Sequence, residues 1–402
     1  MIQDSENLAL VLGGGGARAA YQVGFLRELA RQIPGLHFPI VTGVSAGSIN
    51  AALLVNSPEP LPAALERLTR LWKGITPDQI FYSDPMALAF KVCQWGLRLL
   101  SGGASIAVPT RGLVDTAPLR NFLCRALDAP DGVLRGVDEN LRRGRFKAAV
   151  ITTTDYATGQ SVTWVQGQSP EAWEVPRRRT TSTTLTVEHV MASCALPLLF
   201  PAIQIGNSWH GDGGIGQMAP LSPALRLGAH RVFSISTRYQ NTEAETSLLS
   251  APGYPPPATV LGVLLNAVFL DMFDYDAQVM QRTNALVARL PESERMGLRT
   301  VELLVVRPSQ NLEALASDYE ETLPRAFRYM VRGLGTRDTP RADLLATVLF
   351  APEYVSRVME IGEQDAKRRA AELGRFLAPE TPSTGVTANS IPGCGAAPLS
   401  GE

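Results

Sequence analysis

Cysteine and histidine are scarce in this chain of 402 residues, which contains four of each. Neither a CxxC spacing nor a paired arrangement occurs among the four cysteines, which are Cys93, Cys124, Cys194 and Cys394. This distribution argues against a disulfide framework and against a cysteine-based zinc site. We therefore expect a protein of a reducing compartment.

The sequence also lacks a strong net charge and a hydrophobic run long enough to cross a membrane. Its formal net charge is −1, so it has no general attraction for nucleic acid, and no nucleic-acid partner is predicted. The most apolar stretches, Pro85–Leu100 and Ala258–Phe273, are shorter than the roughly 20 residues that a spanning helix needs. Met1–Glu6 has no basic region typical of a secretory signal. These absences predict a cytoplasmic protein without a transmembrane helix.

What the sequence does contain is an alternation of apolar strands and helices. Hydrophobic residues make up 45% and charged residues 19% of the chain, as in globular proteins. The apolar, β-rich runs are Leu8–Leu12, Ile40–Thr42, Lys147–Thr154, Phe200–Ile205, Arg231–Ser236 and Thr300–Arg307. Helical patterns separate several of them, which favours a parallel sheet covered on both faces. The predicted fold is a three-layer α/β sandwich with a mostly parallel central sheet flanked by helices.

The first helix is predicted from Ala17 to Arg31. Four apolar side chains recur at helical spacing, namely Tyr21, Phe25, Leu26 and Leu29. The polar residues Gln22, Arg27, Glu28 and Arg31 are expected on the opposite face. Pro34 and Gly35 end the helix.

Three segments have a different composition. Met86–Leu100 fits a core helix, a lid or a helix on a membrane surface, with Lys91 and Arg98 reaching toward water in the last case. Gln168–Thr186 is rich in Pro, Arg and Thr and is predicted to be an exposed loop. From about residue 378 the chain loses periodicity, so 378–402 is predicted to be a disordered tail.

The pentapeptide Gly43–Gly47 follows the second strand and matches the nucleophile elbow GxSxG. A strand that turns sharply into a helix crowds its neighbours, so Gly43 and Gly47 leave room for the turn. Ser45 then projects at the positive end of the helix dipole. The alternative is that Ser45 only caps the helix that follows. The pentapeptide alone leaves both interpretations open.

The glycine run Gly14–Gly16 follows the first strand and also has two interpretations. It could cradle the pyrophosphate of a dinucleotide, although the third glycine of that fingerprint falls on Ala19. The second strand ends in Ser45, where that fingerprint expects an acid. Alternatively, the N–H groups of the run could stabilise an oxyanion. The serine elbow in the next β–α unit favours the oxyanion hole.

A serine nucleophile needs a proton acceptor. The four histidines are His37, His189, His210 and His230, and the order Ser45, Asp212, His230 is formally compatible with a triad. A better candidate base is Asp212, which precedes Gly213 and Gly214 and is expected in a tight loop after a turn at Gly206–Trp209. Asp-Gly turns are common, so Asp212 alone does not indicate catalysis.

Taken together and in this order, the motifs resemble those of the patatin-like phospholipase family, and of its bacterial members in particular. The resemblance is carried by Gly14–Arg18, Gly43–Gly47 and Asp212–Gly214. It extends to Ala192–Pro201 before the aspartate and to Pro220–Ala229 after it. Several motifs in the correct order are more specific than any one of them.

The resemblance implies a Ser45–Asp212 dyad, with Gly14, Gly15 and Gly16 as the oxyanion hole. Arg18 would anchor the glycine loop. The other supporting residues of the motifs would be Gly43, Gly47, Gly213 and Gly214. The implied activity is metal-independent and cofactor-free hydrolysis of phospholipids or other acyl-ester lipids at a membrane surface. The headgroup, the acyl chain and the oligomeric state are left open.

The resemblance also implies a domain organisation. Residues 8–237 would form the catalytic core, 238–377 would complete the domain and add a helical extension, and 378–402 would be the tail. Two other functions remain as alternatives. One is a catalytically silent lipid- or partner-binding module that retains the fold, and the other is a nucleotide-binding protein that uses the glycine run.

Overall fold

The computed structural model describes residues 7–377, except for 83–85, 87–89, 91–92, 95–111, 169–173, 176, 218, 243–244, 246–253, 255, 267–271, 334 and 336–341. The stretch Met86–Leu100 lies mostly outside the described residues, and the predicted tail 378–402 lies entirely outside them. The expectations for these two segments stay predictions.

All strands of the described residues belong to one sheet, in the order β10-β9-β1-β2-β3-β4-β6-β5, with β7 and β8 joined to it through β3. The strands are β1 (Leu8–Leu12), β2 (Ile40–Val44), β3 (Ala148–Asp155), β4 (Ser161–Gly167), β5 (Glu174–Val175), β6 (Arg178–Ser182), β7 (Ile203–Ile205), β8 (Ser208–Asp212), β9 (Arg231–Ile235) and β10 (Glu302–Val306). The block from β10 to β3 is parallel throughout.

Helices cover both faces of this sheet. They are α1 (Ala20–Gln32), α2 (Ala46–Asn56), α3 (Leu61–Lys73), α4 (Pro77–Ile80), α5 (Ala117–Ala126), α6 (Arg135–Arg142), α7 (Val187–Ser193), α8 (Ser222–Arg226), α9 (Pro257–Asn266), α10 (Met272–Val287), α11 (Leu312–Ser317), α12 (Arg325–Gly333), α13 (Asp343–Val348), α14 (Pro352–Arg368) and α15 (Ala370–Leu377). Within the described ranges, no helix is long and apolar enough to cross a lipid bilayer.

The alternation of side chains along β1 separates the layers. Leu8, Leu10 and Leu12 point into the larger apolar core, which contains side chains of α1, α2, α3 and α14. Ala9 and Val11 point into a second core with side chains of α8 and α10. Because successive residues of a strand face opposite sides, one apolar strand serves both cores. The three-layer α/β sandwich with a mostly parallel sheet is confirmed.

Helix α1 is more deeply buried than its polar residues predict. It packs between the sheet, α3 and α14, and Gln22 and Glu28 are both buried. The sequence pattern places these two side chains opposite the apolar ones and gives no indication that this face is buried as well. The helix also begins later, at Ala20, after a short 3₁₀ helix at Gly16–Ala19.

The segment Gln168–Thr186, predicted as an exposed loop, contains strands β5 and β6. Strand β6 pairs in parallel with β4 and antiparallel with the two residues of β5. Its residues are Arg, Thr and Ser and are mostly half-exposed, so they show no apolar alternation. A strand without a buried apolar face gives no periodic signal in the sequence.

Residues after 237 contribute to both the sheet and the larger core. Strand β10 pairs in parallel with β9 and so lies at one end of the strand order. Helix α14 packs along α1, and α13 contacts the 3₁₀ helix that follows the glycine run. The division of the chain at residue 237 stays a prediction.

Candidate active site

Strands β2 and β8 meet end to end along one edge of β3. Strand β4 pairs with β3 along residues 148–154 and therefore occupies one edge of it. The other edge is shared, with β2 paired in parallel up to Val44↔Thr152 and β8 paired antiparallel from Thr153↔Asp212. The ends of β2 and β8 are therefore adjacent, which brings Ser45 and Asp212 together. Asp212 is the last residue of a strand, so its expected position in a loop after a turn is wrong.

Ser45 occupies the sharp turn between β2 and α2. Its backbone has φ 51° and ψ −135°, a conformation that residues other than glycine seldom adopt. The residue is buried. A Cβ atom on Gly43 would lie 2.7 Å from the Cβ of Ala51, and one on Gly47 would lie 2.4 Å from the carbonyl oxygen of Leu12. The elbow therefore has no room for larger residues at these two positions.

The side chains of Ser45 and Asp212 are directly hydrogen-bonded. The Ser45 hydroxyl donates to Oδ2 of Asp212 at 2.7 Å. The other carboxylate oxygen, Oδ1, accepts the N–H of Gly214 at 2.9 Å. Gly213 lies against β3, where a Cβ would come within 2.1 Å of the Thr152 carbonyl oxygen. Both carboxylate oxygens are thus held, and one of them faces the serine hydroxyl.

Burial changes the proton affinity of Asp212. The residue has no exposed surface, and desolvation raises the pKa of its carboxyl from 3.8 to about 7, although the hydrogen bonds from Ser45 and Gly214 lower the pKa. No ion pair of Asp212 with a cation is found among the described residues. Asp212 can therefore exchange a proton near neutral pH.

The histidines take no part in this arrangement. His230 precedes β9 and contacts Asn7, so it lies at the start of the parallel strands, whereas Ser45 lies at their carboxyl end. His210 contacts the hydroxyl of Thr153 at 3.0 Å. His189 accepts from the backbone of Thr186. The triad order Ser45, Asp212, His230 is therefore not formed.

The glycine run is held by its carbonyl groups. Each of three carbonyls accepts a hydrogen bond from a side chain: Gly13 from Gln22 at 2.8 Å, Gly14 from Thr237 at 2.6 Å and Gly15 from Arg18 at 3.1 Å. In a trans peptide the N–H points away from the carbonyl of the same unit. The N–H groups of Gly14–Gly16 are therefore directed away from these anchors. Among the described residues, those of Gly15 and Gly16 have no protein acceptor.

The run also lies against the nucleophile. A Cβ on Gly14 would lie 2.8 Å from the Cβ of Ser45, so the two residues are in close contact. Gly16 has φ 59°, and a Cβ there would lie 2.0 Å from the carbonyl oxygen of Thr347 on α13. The first contact places Gly14 beside the Ser45 side chain, and the second fixes Gly16 against α13. An oxyanion hole requires unpaired N–H donors on a fixed loop near the nucleophile.

A sequence model of the family described as patatin-like phospholipase matches residues 10–225, which is more than half of the chain. The chain belongs to the patatin-like phospholipase family. Membership supports a lipid acyl hydrolase activity in general terms. A search of curated proteins finds no match.

Solved structures similar to this patatin-like protein share little sequence with it. VipD from Legionella pneumophila is 14% identical, with 91% of this chain and 67% of that chain covered and a TM-score of 0.40. Human GIVD cytosolic phospholipase A2 is also 14% identical, with 94% and 63% covered and a TM-score of 0.43. For its complex with methyl gamma-linolenyl fluorophosphonate, the identity is again 14%, 94% of this chain and 60% of that chain are covered, and the TM-score is 0.44. The chain thus spans 60–67% of the length of these structures.

In this patatin-like protein, Arg18 joins the glycine loop to the C-terminal part of the chain. Its guanidinium donates to the Gly15 carbonyl, forms a buried ion pair with Glu313 and contacts the Thr347 hydroxyl at 3.3 Å. Arg18 is itself buried. The structure therefore gives Arg18 contacts that fix the loop and no contact with the Ser45 hydroxyl.

The backbone of Ser45 is held by two consecutive residues at the end of α7. The hydroxyl of Ser193 accepts the Ser45 N–H at 2.9 Å and donates to the Thr152 carbonyl at 2.7 Å. The Cys194 thiol donates to the Ser45 carbonyl at 3.0 Å, and burial raises the pKa of this thiol far above its usual range. Because Ser193 occupies the Ser45 N–H, that donor is not free for an oxyanion.

Several of these contacts have no signal in the sequence. Gln22 belongs to the polar face of α1, and Thr237 and Glu313 lie outside the family motifs. Ser193 and Cys194 fall within the stretch Ala192–Pro201, but that stretch alone gives them no role. Apart from the Gln22–Gly13 contact, which joins residues nine positions apart, these contacts join residues that are far apart in the sequence. Across the described residues, no group of three or more His, Cys, Asp or Glu side chains is arranged to hold a metal ion.

Proposed function

We propose that this chain hydrolyses carboxylic ester bonds of phospholipids or related acyl lipids, with Ser45 as nucleophile and Asp212 as general base. The observation that carries the proposal is the 2.7 Å hydrogen bond from the Ser45 hydroxyl to Asp212 within a buried strand–helix elbow. A hydroxyl that already donates to a carboxylate has a defined path for its proton.

In the acylation step, the Ser45 oxygen attacks the ester carbonyl while its proton passes to Oδ2 of Asp212. The carbonyl oxygen becomes negatively charged and accepts hydrogen bonds from the N–H groups of the glycine run. When the tetrahedral intermediate collapses, the bond to the alcohol breaks and the alcohol oxygen takes the proton from Asp212. An acyl group remains on Ser45, and the lipid alcohol leaves.

In the deacylation step, Asp212 accepts a proton from a water molecule, whose oxygen attacks the acyl-Ser45 carbonyl. The second tetrahedral intermediate uses the same N–H donors. Its collapse releases the fatty acid and returns the proton to the Ser45 oxygen. Asp212 therefore carries one proton in each half of the cycle, a role that suits a carboxyl with a pKa of about 7.

The glycine run would contribute much of the rate enhancement. One well-placed donor to an oxyanion contributes about 3 kcal/mol to transition-state stabilisation. The N–H groups of Gly15 and Gly16 meet the requirement that such donors be unpaired and fixed beforehand. Their anchors, Thr237 and Arg18, hold the loop without occupying these N–H groups.

Exposed apolar side chains lie close to the dyad and support a substrate that is presented at a lipid surface. Tyr156, Leu198 and Trp209 are 47%, 65% and 42% exposed. Tyr156 packs against Gly211, the neighbour of Asp212, and Leu198 lies three residues after Ala195, whose carbonyl accepts the Asp212 N–H. We propose that these side chains contact the lipid layer that presents the ester.

The test is lipid-product profiling with phosphatidylcholine, lysophosphatidylcholine and triacylglycerol vesicles. Wild type should release fatty acid, and Ser45→Ala and Asp212→Asn should each lose at least a thousandfold in rate while keeping the far-UV circular dichroism of wild type. Ser182→Ala, at the exposed end of β6, is the matched control and should keep full activity.

Full activity of the purified Ser45→Ala variant would overturn the proposal. Vesicle binding by a wild-type protein that releases no fatty acid would favour the alternative, a silent lipid-binding module. The lipid class with the highest rate assigns the headgroup preference.

A further inference from the structure

A cavity lies at the opposite end of the sheet from the dyad. Its volume is about 420 Å³, within the range of about 300–1,000 Å³ typical of small-ligand pockets. It is bounded by the end of α1, the last turn of α2, the start of α3 and the segments that precede β2 and β3. Because Ser45 directly precedes α2 and Leu54 near the end of α2 lines the cavity, most of a helix separates the two sites.

The inside of the cavity is apolar. The half-buried side chains of Ile33, Leu61 and Phe146 line it. Leu10, Val41 and Leu54 lie behind them and are almost fully buried in the core. Water in such a space finds few hydrogen-bond partners, so an apolar chain that displaces it gains free energy. The lining therefore selects a hydrocarbon group.

The mouth of the cavity carries a fixed cation. Arg145 lines it, and its Nη1 group donates to the carbonyl of Pro58 and contacts Oδ1 of Asn140 at 3.4 Å. Its Nε and Nη2 groups have no protein acceptor in the described part of the chain. Glu59 also lines the cavity but is exposed to solvent. A guanidinium with free N–H groups, held in place by its other contacts, suits a carboxylate.

We propose that this cavity binds a free long-chain carboxylate, with its hydrocarbon chain against Ile33, Leu61 and Phe146 and its carboxylate on Arg145. The ligand is a single-chain amphiphile because the cavity has a small volume and an apolar lining, and because a cation lies at one point of its mouth. The site lies away from the dyad, and the proposal does not depend on hydrolysis by Ser45.

The test measures binding of dodecanoate by isothermal titration calorimetry in the Ser45→Ala background, which carries out no acyl transfer. Adding Leu61→Trp should fill the cavity and weaken the binding at least tenfold. Leu71→Trp makes the same change at a half-buried position of the same helix outside the cavity and should leave the binding within twofold. Circular dichroism and thermal unfolding verify that both variants are folded.

The head-group contact is tested by charge changes at the mouth. Arg145→Gln should weaken dodecanoate binding at least fivefold, whereas Arg142→Gln, which removes an exposed cation outside the cavity, should not. Glu59→Gln should strengthen dodecanoate binding, because it removes a negative charge from the lining of the cavity. Dodecanol, which has no charge, should respond to neither Arg145→Gln nor Glu59→Gln.

Equal binding of dodecanoate to the Leu61→Trp and Leu71→Trp proteins would overturn the proposal, since the ligand would then occupy another place, such as the catalytic cleft. Equal effects of Arg145→Gln on dodecanoate and dodecanol would overturn the assignment of the carboxylate. Loss of hydrolysis in wild type, with cavity-dependent binding intact, would count against the dyad alone.

Discussion

At the scale of single residues, the central fact is a carboxylate buried without a cation. Asp212 is fully buried, and among the described residues its carboxylate accepts hydrogen bonds only from the Ser45 hydroxyl and the Gly214 N–H. Removing its charge from water raises the pKa to about 7. The same burial that makes Asp212 a usable base therefore costs the folded protein free energy.

The first prediction concerns the pH dependence of activity. Asp212 must be deprotonated to accept the Ser45 proton, so kcat/KM should rise with pH around 7 and level off above pH 8. The measurement uses a neutral ester with chromatographic detection, so that neither substrate nor detection titrates. A profile that is flat or falling between pH 6 and 8 would contradict the assigned base.

The second prediction concerns stability. Because the folded pKa of about 7 lies above the unfolded value of 3.8, Asp212 favours folding when protonated, and this advantage is lost as pH rises through about 7. Asp212→Asn removes this titration. Its free energy of unfolding relative to that of wild type should therefore rise by about 2–3 kcal/mol between pH 5 and pH 8.

Urea unfolding at the two pH values measures this gain. Asp212→Asn is compared with wild type at each pH. The contributions of groups that titrate in both proteins cancel in this difference, so that only the titration of Asp212 remains. A difference in unfolding free energy that does not change with pH would mean that the carboxyl titrates alike in the folded and unfolded chain.

At the scale of secondary-structure elements, the site depends on close contact between the glycine run and the elbow. The Cα atoms of Gly14 and Ser45 are near enough that a methyl group between them must displace one residue. The preceding position is different, since a Cβ on Gly13 would have its nearest neighbour, the Ile235 carbonyl oxygen, at 3.8 Å. Neither glycine has a positive φ.

The third prediction follows from this pair. Gly14→Ala should lower kcat at least a hundredfold, because the added methyl group pushes the donor loop away from Ser45. Gly13→Ala is the matched substitution and should keep most of the activity. Steady-state kinetics on both variants, with thermal unfolding as a folding check, makes the comparison. Similar kcat values for the two variants would argue against a tight fit of the loop to Ser45.

The elements differ in how well the sequence predicts them. Strands β1, β2 and β9 are apolar and buried on both faces, so their composition alone identifies them. Strand β6 is half-exposed and polar, so the pattern gave a loop. The approach of Ser45 to Asp212 arises from two strands that share one edge of β3, and this register has no local signature. The family motifs supplied that pair instead.

At the scale of the whole molecule, the C-terminal third completes the core around α1. Helix α14 crosses α1 so closely that a Cβ on Gly362 would lie 2.3 Å from the Tyr21 carbonyl oxygen. The Tyr21 hydroxyl also donates to Asp365 at 3.0 Å. The sequence places the polar residues of α1 opposite its apolar side chains and gives no sign that α14 covers that face.

The fourth prediction tests this crossing. Gly362→Ala should lower the free energy of unfolding by about 1–3 kcal/mol, since the methyl group forces two helices apart. Gly374→Ala, in the neighbouring helix α15, has open space around its Cβ and should raise stability slightly through helix propensity. Thermal and urea unfolding of both variants provides the measurement. Equal effects on stability would mean that α14 does not pack on α1 as described.

The central claim is that Ser45 acts as a nucleophile activated by Asp212. The most direct measurement is the rate at which a long-chain fluorophosphonate modifies the protein, followed by intact mass and peptide mapping. We expect one adduct, on Ser45, and a modification rate at least a hundredfold lower in Asp212→Asn. Absence of the adduct in wild type, an adduct on another residue or an unchanged rate in Asp212→Asn would contradict this claim.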